Sequence, residues 1–156
     1  MSRFLSTHVQ QLNLPSPTKN ILDIVNENYI IQRQHFNLKT NKQKIEQIWS
    51  EGYNLEVDNW CKNNICKDVH YSFQLTTNLN QHTDIGTKVK LIYFVDTGGD
   101  NVFTEFHSDD NKQILQSVKL DSHKWYALKT DVNHSVRGVE KSKTRFSIVG
   151  RLFFNI

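Results

Sequence analysis

The chain has 156 residues, 37% of them hydrophobic and 22% charged, with a net charge of +3. That length suits one domain around one core, and the balance is that of a soluble globular protein rather than a disordered one. Lys and Arg are scattered, with only small clusters such as Lys141 and Lys143, so no basic stripe marks a nucleic-acid surface.

The N-terminal stretch MSRFLSTHVQQ lacks the apolar run of a signal peptide, and no later segment approaches membrane-spanning length. The expectation is a soluble, cytoplasmic protein with no membrane partner. Two textures meet near residue 70, giving a helical support region over 1–69 and a β core over 70–156 of one domain. Ser16-Pro17-Thr18 opens a predicted helix, with Ile21, Leu22, Val25, Asn28 and Tyr29 on one face, ending near Arg33. A second predicted helix carries Ile45, Ile48 and Trp49 and stops at Glu51-Gly52. A third runs from about Asn54 to Ile65. It and the residues just after hold Cys61 and Cys66, whose spacing fits neither a zinc pair nor a secreted disulfide framework, so both read as reduced thiols.

After residue 70 the period changes to two. Tyr71, Phe73 and Leu75 alternate with Ser72, Gln74 and Thr76, and 87–95 (TKVKLIYFV) is β-branched and aromatic up to the turn Asp96-Thr97-Gly98-Gly99-Asp100. Further short strands are predicted at 101–106, 114–120, 124–129 and 144–153, with a tight Asp131-Val132-Asn133 turn before His134. Short strands separated by turn signals imply a sandwich or barrel. The predicted fold is α+β, mainly β: a compact antiparallel jelly-roll-like barrel with its N-terminal helices packed outside.

Four polar residues stand out against this pattern. His82 and Asp84 form an H-x-D, so on a strand both project to one side. His134 follows fifty residues after Asp84, and Arg145 eleven residues later. Two imidazoles and a carboxylate are the facial triad of non-haem Fe(II), which leaves positions open on the metal. An Arg offers a rigid fork for a substrate carboxylate. His107-Ser108-Asp109 is a second H-x-D, in a polar stretch (EFHSDDNKQ) that would fix ligands poorly. Four strands fit between Asp84 and His134 but only two between Asp109 and His134, so topology favours the first pair and leaves His107 to a surface or substrate loop. Arg145 and Ser147 share one face of the last strand, Phe146 and Ile148 the other. With Arg145 inside the barrel an anionic partner must meet it; the alternative turns the strand over, with Arg145 and Ser147 in solvent.

Taken together, His82-Thr83-Asp84, His134 and Arg145-Phe146-Ser147 resemble the Fe(II)/2-oxoglutarate-dependent dioxygenases, in their small prolyl-4-hydroxylase-like branch. The context is similar too: LNQHTD before the strand VKLIYFVDT, then Gly98-Gly99, then His134-Ser135-Val136 after a strand and turn. The resemblance covers roughly residues 70–154 and implies a double-stranded β-helix. His82 and Asp84 would follow its second strand, His134 would lie on the seventh and Arg145 on the eighth. It implies Fe(II) on His82, Asp84 and His134, with 2-oxoglutarate as small-molecule cosubstrate and O₂ as oxidant. Arg145 would hold the distal carboxylate of 2-oxoglutarate with Ser147 beside it, and a tyrosine, Tyr71 or Tyr93, would add a hydroxyl there. The implied activity is hydroxylation of an unidentified substrate (a peptide side chain, an amino acid or a metabolite), yielding succinate and CO₂. Two other readings stay open at the level of sequence. A cupin-like metal-binding barrel, acting as isomerase, lyase or non-catalytic binder, needs the histidines but not Arg145; a structural jelly-roll module leaves His82 and His134 far apart.

Overall fold

Strands of β-branched and aromatic residues build two stacked antiparallel sheets in the computed structural model, which describes residues 3–6, 8–43 and 48–152. In chain order the elements are β1 (Arg3–Ser6), β2 (Val9–Leu12), α1 (Lys19–Gln43), β3 (Trp49–Gly52), α2 (Leu55–Asn64), β4 (Tyr71–Thr76), β5 (Leu79–His82), β6 (Val89–Asp96), β7 (Phe103–His107), β8 (Ile114–Val118), β9 (Trp125–Lys129), β10 (His134–Arg137) and β11 (Arg145–Leu152). The larger sheet has the order β1-β2-β9-β6-β11-β4-β3, and the smaller β5-β10-β7-β8. The chain therefore crosses between sheets repeatedly from β4 onward, which gives a jelly-roll-like sandwich.

The larger sheet is buried on both faces. From β6, Val89, Leu91 and Tyr93 join a core shared with Ile21 and Val25 of α1 and Val57 and Cys61 of α2. The alternate residues Ile92 and Phe94 join a second core between the sheets, with Phe106 of β7 and Leu128 of β9. The period-two rule divides β11 in the same way: Phe146 and Ile148 face the helices, while Arg145 and Ser147 face the smaller sheet. Burial of a side chain such as Phe146 or Ile148 contributes about 2 kcal/mol.

Asn54 caps α2, its side-chain oxygen accepting the Val57 N–H at 3.1 Å. One turn in, the buried Asp58 carboxylate accepts from Tyr53 Oη at 2.7 Å, the Tyr71 N–H at 2.8 Å and Lys62 Nζ at 3.1 Å. This network ties α2 to the start of β4.

The N-terminal half departs from the sequence reading in three ways. The first helix continues past Arg33 to Gln43. The expected second helix is instead strand β3 from Trp49, and Ile45 lies outside the described residues. Its spacing at 48 and 49 fits either period, and pairing with β4 (Trp49↔Thr76, Glu51↔Gln74) decides for the strand. β1, β2 and β3 all extend the larger sheet, β2 by pairing with β9 (Val9↔Leu128, Leu12↔Trp125). Residue 70 thus marks a change of texture but no edge of the sheet.

Candidate metal centre and anion pocket

Four strands, β6 to β9, separate Asp84 from His134 along the chain, yet the sandwich brings them together. His82 ends β5 directly opposite His134, the first residue of β10, and their ring centroids lie 4.3 Å apart. Asp84 follows in a turn whose position is set by two backbone features. Its N–H donates to the Thr130 carbonyl at 3.0 Å, just beyond β9, and Gly86 takes a φ of 76° that favours glycine.

Hydrogen bonds fix the tautomer of each imidazole in its neutral form. His82 Nδ1 lies 2.6 Å from the Asn80 carbonyl and His134 Nδ1 lies 2.8 Å from the Val132 carbonyl. A carbonyl only accepts, so each Nδ1 carries the proton and each Nε2 is left to face the cluster. Asp84 Oδ1 sits 3.5 Å from His82 Nε2 and 3.4 Å from His134 Nε2, and the three donor atoms all lie within 4.8 Å of one another. Burial pushes the His82 pKa down, which keeps its ring neutral near pH 7. Burial alone would raise the Asp84 pKa; contacts with His134 and Lys90 outweigh it and hold the carboxyl well below the usual range. A hydrogen on His134 Nε2 would point at the carboxylate; with both rings neutral, lone pairs on two nitrogens and a carboxylate oxygen converge there instead. That donor set fits a divalent cation of the iron type, and the carbonyl-anchored Nδ1 atoms are the outer support such ligands need.

The same pocket contains Arg145, 5% exposed. Its Nη1 donates to Thr104 Oγ1 at 3.3 Å and its guanidinium carbon lies 4.4 Å from the Phe94 ring centroid, while Nε has no partner. Among the described residues no carboxylate lies within ion-pair distance, and burial holds its pKa down to about 10. A buried cation without a counter-ion is costly, and the arrangement is that of an anion receptor. Gly98, with φ 89°, lets the turn after β6 close over the arginine stem: an added Cβ would stand 3.2 Å from Arg145 Cγ. Ser147 lines the pocket beside it.

Tyr71 does not join this group. It lies on the helix-facing side of β4, and its hydroxyl donates to the Cys66 carbonyl at 3.2 Å. Tyr93 also faces the helices, so the ring over Arg145 is Phe94, which offers no hydroxyl. His107, expected in a surface or substrate loop, is buried at the end of β7 on the outer face of the smaller sheet. There its Nε2 is 2.7 Å from Ser135 Oγ and its Nδ1 is 3.3 Å from Gln81 Nε2. Among the pocket residues that escaped the sequence reading are Lys90, whose Nζ lies 3.2 Å from Asp84 Oδ2, Thr104, and Trp49, which stands edge-on to His82 with ring centroids 6.1 Å apart. Lys90 was legible in principle, because it shares the parity of Ile92 and Phe94 in an otherwise apolar strand.

No family model matches the chain, and no curated protein matches it in sequence. Fifteen chains of solved structures match its fold. One is a prolyl-4-hydroxylase from Pseudomonas putida, with a TM-score of 0.52 and 11% identity, covering 95% of this chain and 94% of that one. At that identity the likeness is one of fold. No described helix is long and apolar enough to cross a membrane.

Proposed function

We propose that this chain is an Fe(II)- and 2-oxoglutarate-dependent dioxygenase that hydroxylates its substrate, built on a double-stranded β-helix. The observation that carries the reading is the convergence of His82, Asp84 and His134, with both histidines lining the same pocket as the buried, carboxylate-free Arg145. Either feature alone has a bland explanation; a divalent-metal site and an anion receptor facing one cavity do not. Counted from β4, His82 ends the second strand, His134 opens the seventh and Arg145 opens the eighth, the order expected of that fold. The likeness to the Pseudomonas hydroxylase supports the same architecture.

His82, Asp84 and His134 would hold the metal through Nε2, Oδ1 and Nε2, leaving its remaining positions for cosubstrate and O₂. Iron and O₂ supply the oxidising chemistry, coupling decarboxylation of 2-oxoglutarate to succinate and CO₂ with hydroxylation of the substrate. Arg145 grips the distal carboxylate by charge and two-point hydrogen bonding, with Ser147 beside it. Arg145 donates to Thr104, which pairs with Val136, and Val136 is two residues along β10 from His134, a strand distance of about 7 Å. The apolar walls Ile92, Phe94, Phe106 and Leu128 keep bulk water from the chain between the two carboxylates.

A structural module would have kept His82 and His134 apart, and their direct pairing counts against it. A cupin-like binder leaves the burial of Arg145 without a reason. Incubation with Fe(II), ascorbate and 2-oxoglutarate in air, with succinate followed by NMR, tests the proposal. Slow succinate formation that disappears in His134→Ala is expected. Iron-loaded protein that neither consumes nor binds 2-oxoglutarate in equilibrium dialysis would overturn it.

A further inference from the structure

The two oxygens of Asp84 meet different neighbours. Oδ1 faces the two Nε2 atoms, while Oδ2 faces Lys90 Nζ at 3.2 Å as an ion pair. Lys90 is held there from three sides. Its backbone is paired with Leu128 of β9 and Arg151 of β11, its side chain is buried at 6% exposure, and its ammonium lies 5.4 Å from the Trp49 ring centroid. A buried lysine on an inward-facing strand position costs desolvation energy that an apolar residue would avoid. Nothing about the β6 pairing requires it, since Ile92 and Phe94 fill the same row.

We propose that Lys90 is a positioning residue that restricts Asp84 to one coordinating oxygen and offsets its charge. This rests on the metal reading of His82, Asp84 and His134. With Oδ2 held by Lys90, a metal bound at Oδ1 keeps its open positions. With the carboxylate charge balanced, the metal also keeps its net positive charge for an anionic chelating cosubstrate. Lys90 and Arg145 then act on the two ends of one ligand, Arg145 directly and Lys90 through the metal.

The consequence is a pair of opposite effects. In Lys90→Met the repulsion between ammonium and metal is gone and both Asp84 oxygens are free to bind. Affinity for Co(II) should therefore rise by about tenfold or more, a conservative figure for removing a unit charge this close to a divalent ion. The visible Co(II) absorption should weaken, as it does when coordination number increases. Affinity of the Co(II) protein for 2-oxoglutarate should fall by about tenfold or more, because one open position and one positive charge are lost. Lys90→Arg should restore the wild-type values. Should Lys90→Met fail to fold, Lys90→Gln carries the same test, removing the charge while keeping a polar side chain. A variant in which both affinities fall together, or in which the Co(II) spectrum and both affinities are unchanged, overturns the proposal and leaves Lys90 a packing residue. Wild-type Co(II) binding that survives His134→Ala intact would instead remove the metal reading itself, a result obtained before any Lys90 variant is made.

Discussion

Replacing Arg145 by Met should leave the ligand-free protein at least as stable as wild type, although it removes a buried side chain from the sheet interior. Burial holds the Arg145 pKa down from 12.5 to about 10. A folded-state pKa below the unfolded one means that folding disfavours the charged form, here by about 3 kcal/mol at neutral pH. Against this stand one hydrogen bond to Thr104, worth about 1 kcal/mol, and the contact with the Phe94 ring, worth about 1–2 kcal/mol. Methionine keeps most of the apolar stem. The net expectation is a variant between equal to wild type and about 1 kcal/mol more stable, or up to about 4 °C in Tm for a chain of this size. Urea and thermal unfolding of the metal-free proteins measure this. Adding Mn(II) with 2-oxoglutarate at about a hundred times its Kd should stabilise wild type by about 2.7 kcal/mol more than Mn(II) alone and add almost nothing to the variant. A ligand-free variant that loses more than about 2 kcal/mol would refute the reasoning, since it would mean the guanidinium is already well compensated.

Asp84→Ala should abolish metal binding and also cost about 3 kcal/mol of stability, because it leaves Lys90 buried without its ion-pair partner; the double variant with Lys90→Met should recover much of that loss in chemical denaturation. His107→Ala should leave metal affinity intact, because the ring is bonded to Ser135 on the outer face of the smaller sheet; a large drop in calorimetric titration would move the site. Asp58→Asn should cost about 2 kcal/mol, from a buried carboxylate that accepts three hydrogen bonds. Burial works against the Asp58 charge, but Tyr53, the Tyr71 N–H and Lys62 hold its pKa below the ordinary value. The unfolded state therefore binds the proton first: its stabilisation is complete above about pH 4 and is lost as pH falls through the folded pKa. The acid limb of the stability profile should be shallower in Asp58→Asn.

The strands that carry apolar side chains could be read from their period, and Thr87 to Val95 became β6 almost unchanged. The strands that carry the candidate ligands could not. Leu79–His82 and His134–Arg137 are four residues each, and they place polar groups where alternation expects apolar ones, so His82 and Asp84 were found by motif rather than by pattern. The error at Tyr71 has a different cause. Both faces of the larger sheet are buried, so alternation separates Tyr71 from Ser72 without saying which side meets the smaller sheet. The pairing Arg145↔Thr76 decides it, and that contact spans most of the core region. Trp49 needed the same long-range information, since only pairing with Thr76 distinguishes strand from helix there.

Anaerobic titration of the Fe(II)-loaded protein with 2-oxoglutarate, followed through the weak visible charge-transfer band of the chelate, tests the central claim most directly. A saturable band is expected in wild type, absent in His134→Ala, and shifted to much higher 2-oxoglutarate concentration in Arg145→Met. No band in protein with verified iron occupancy would contradict the account.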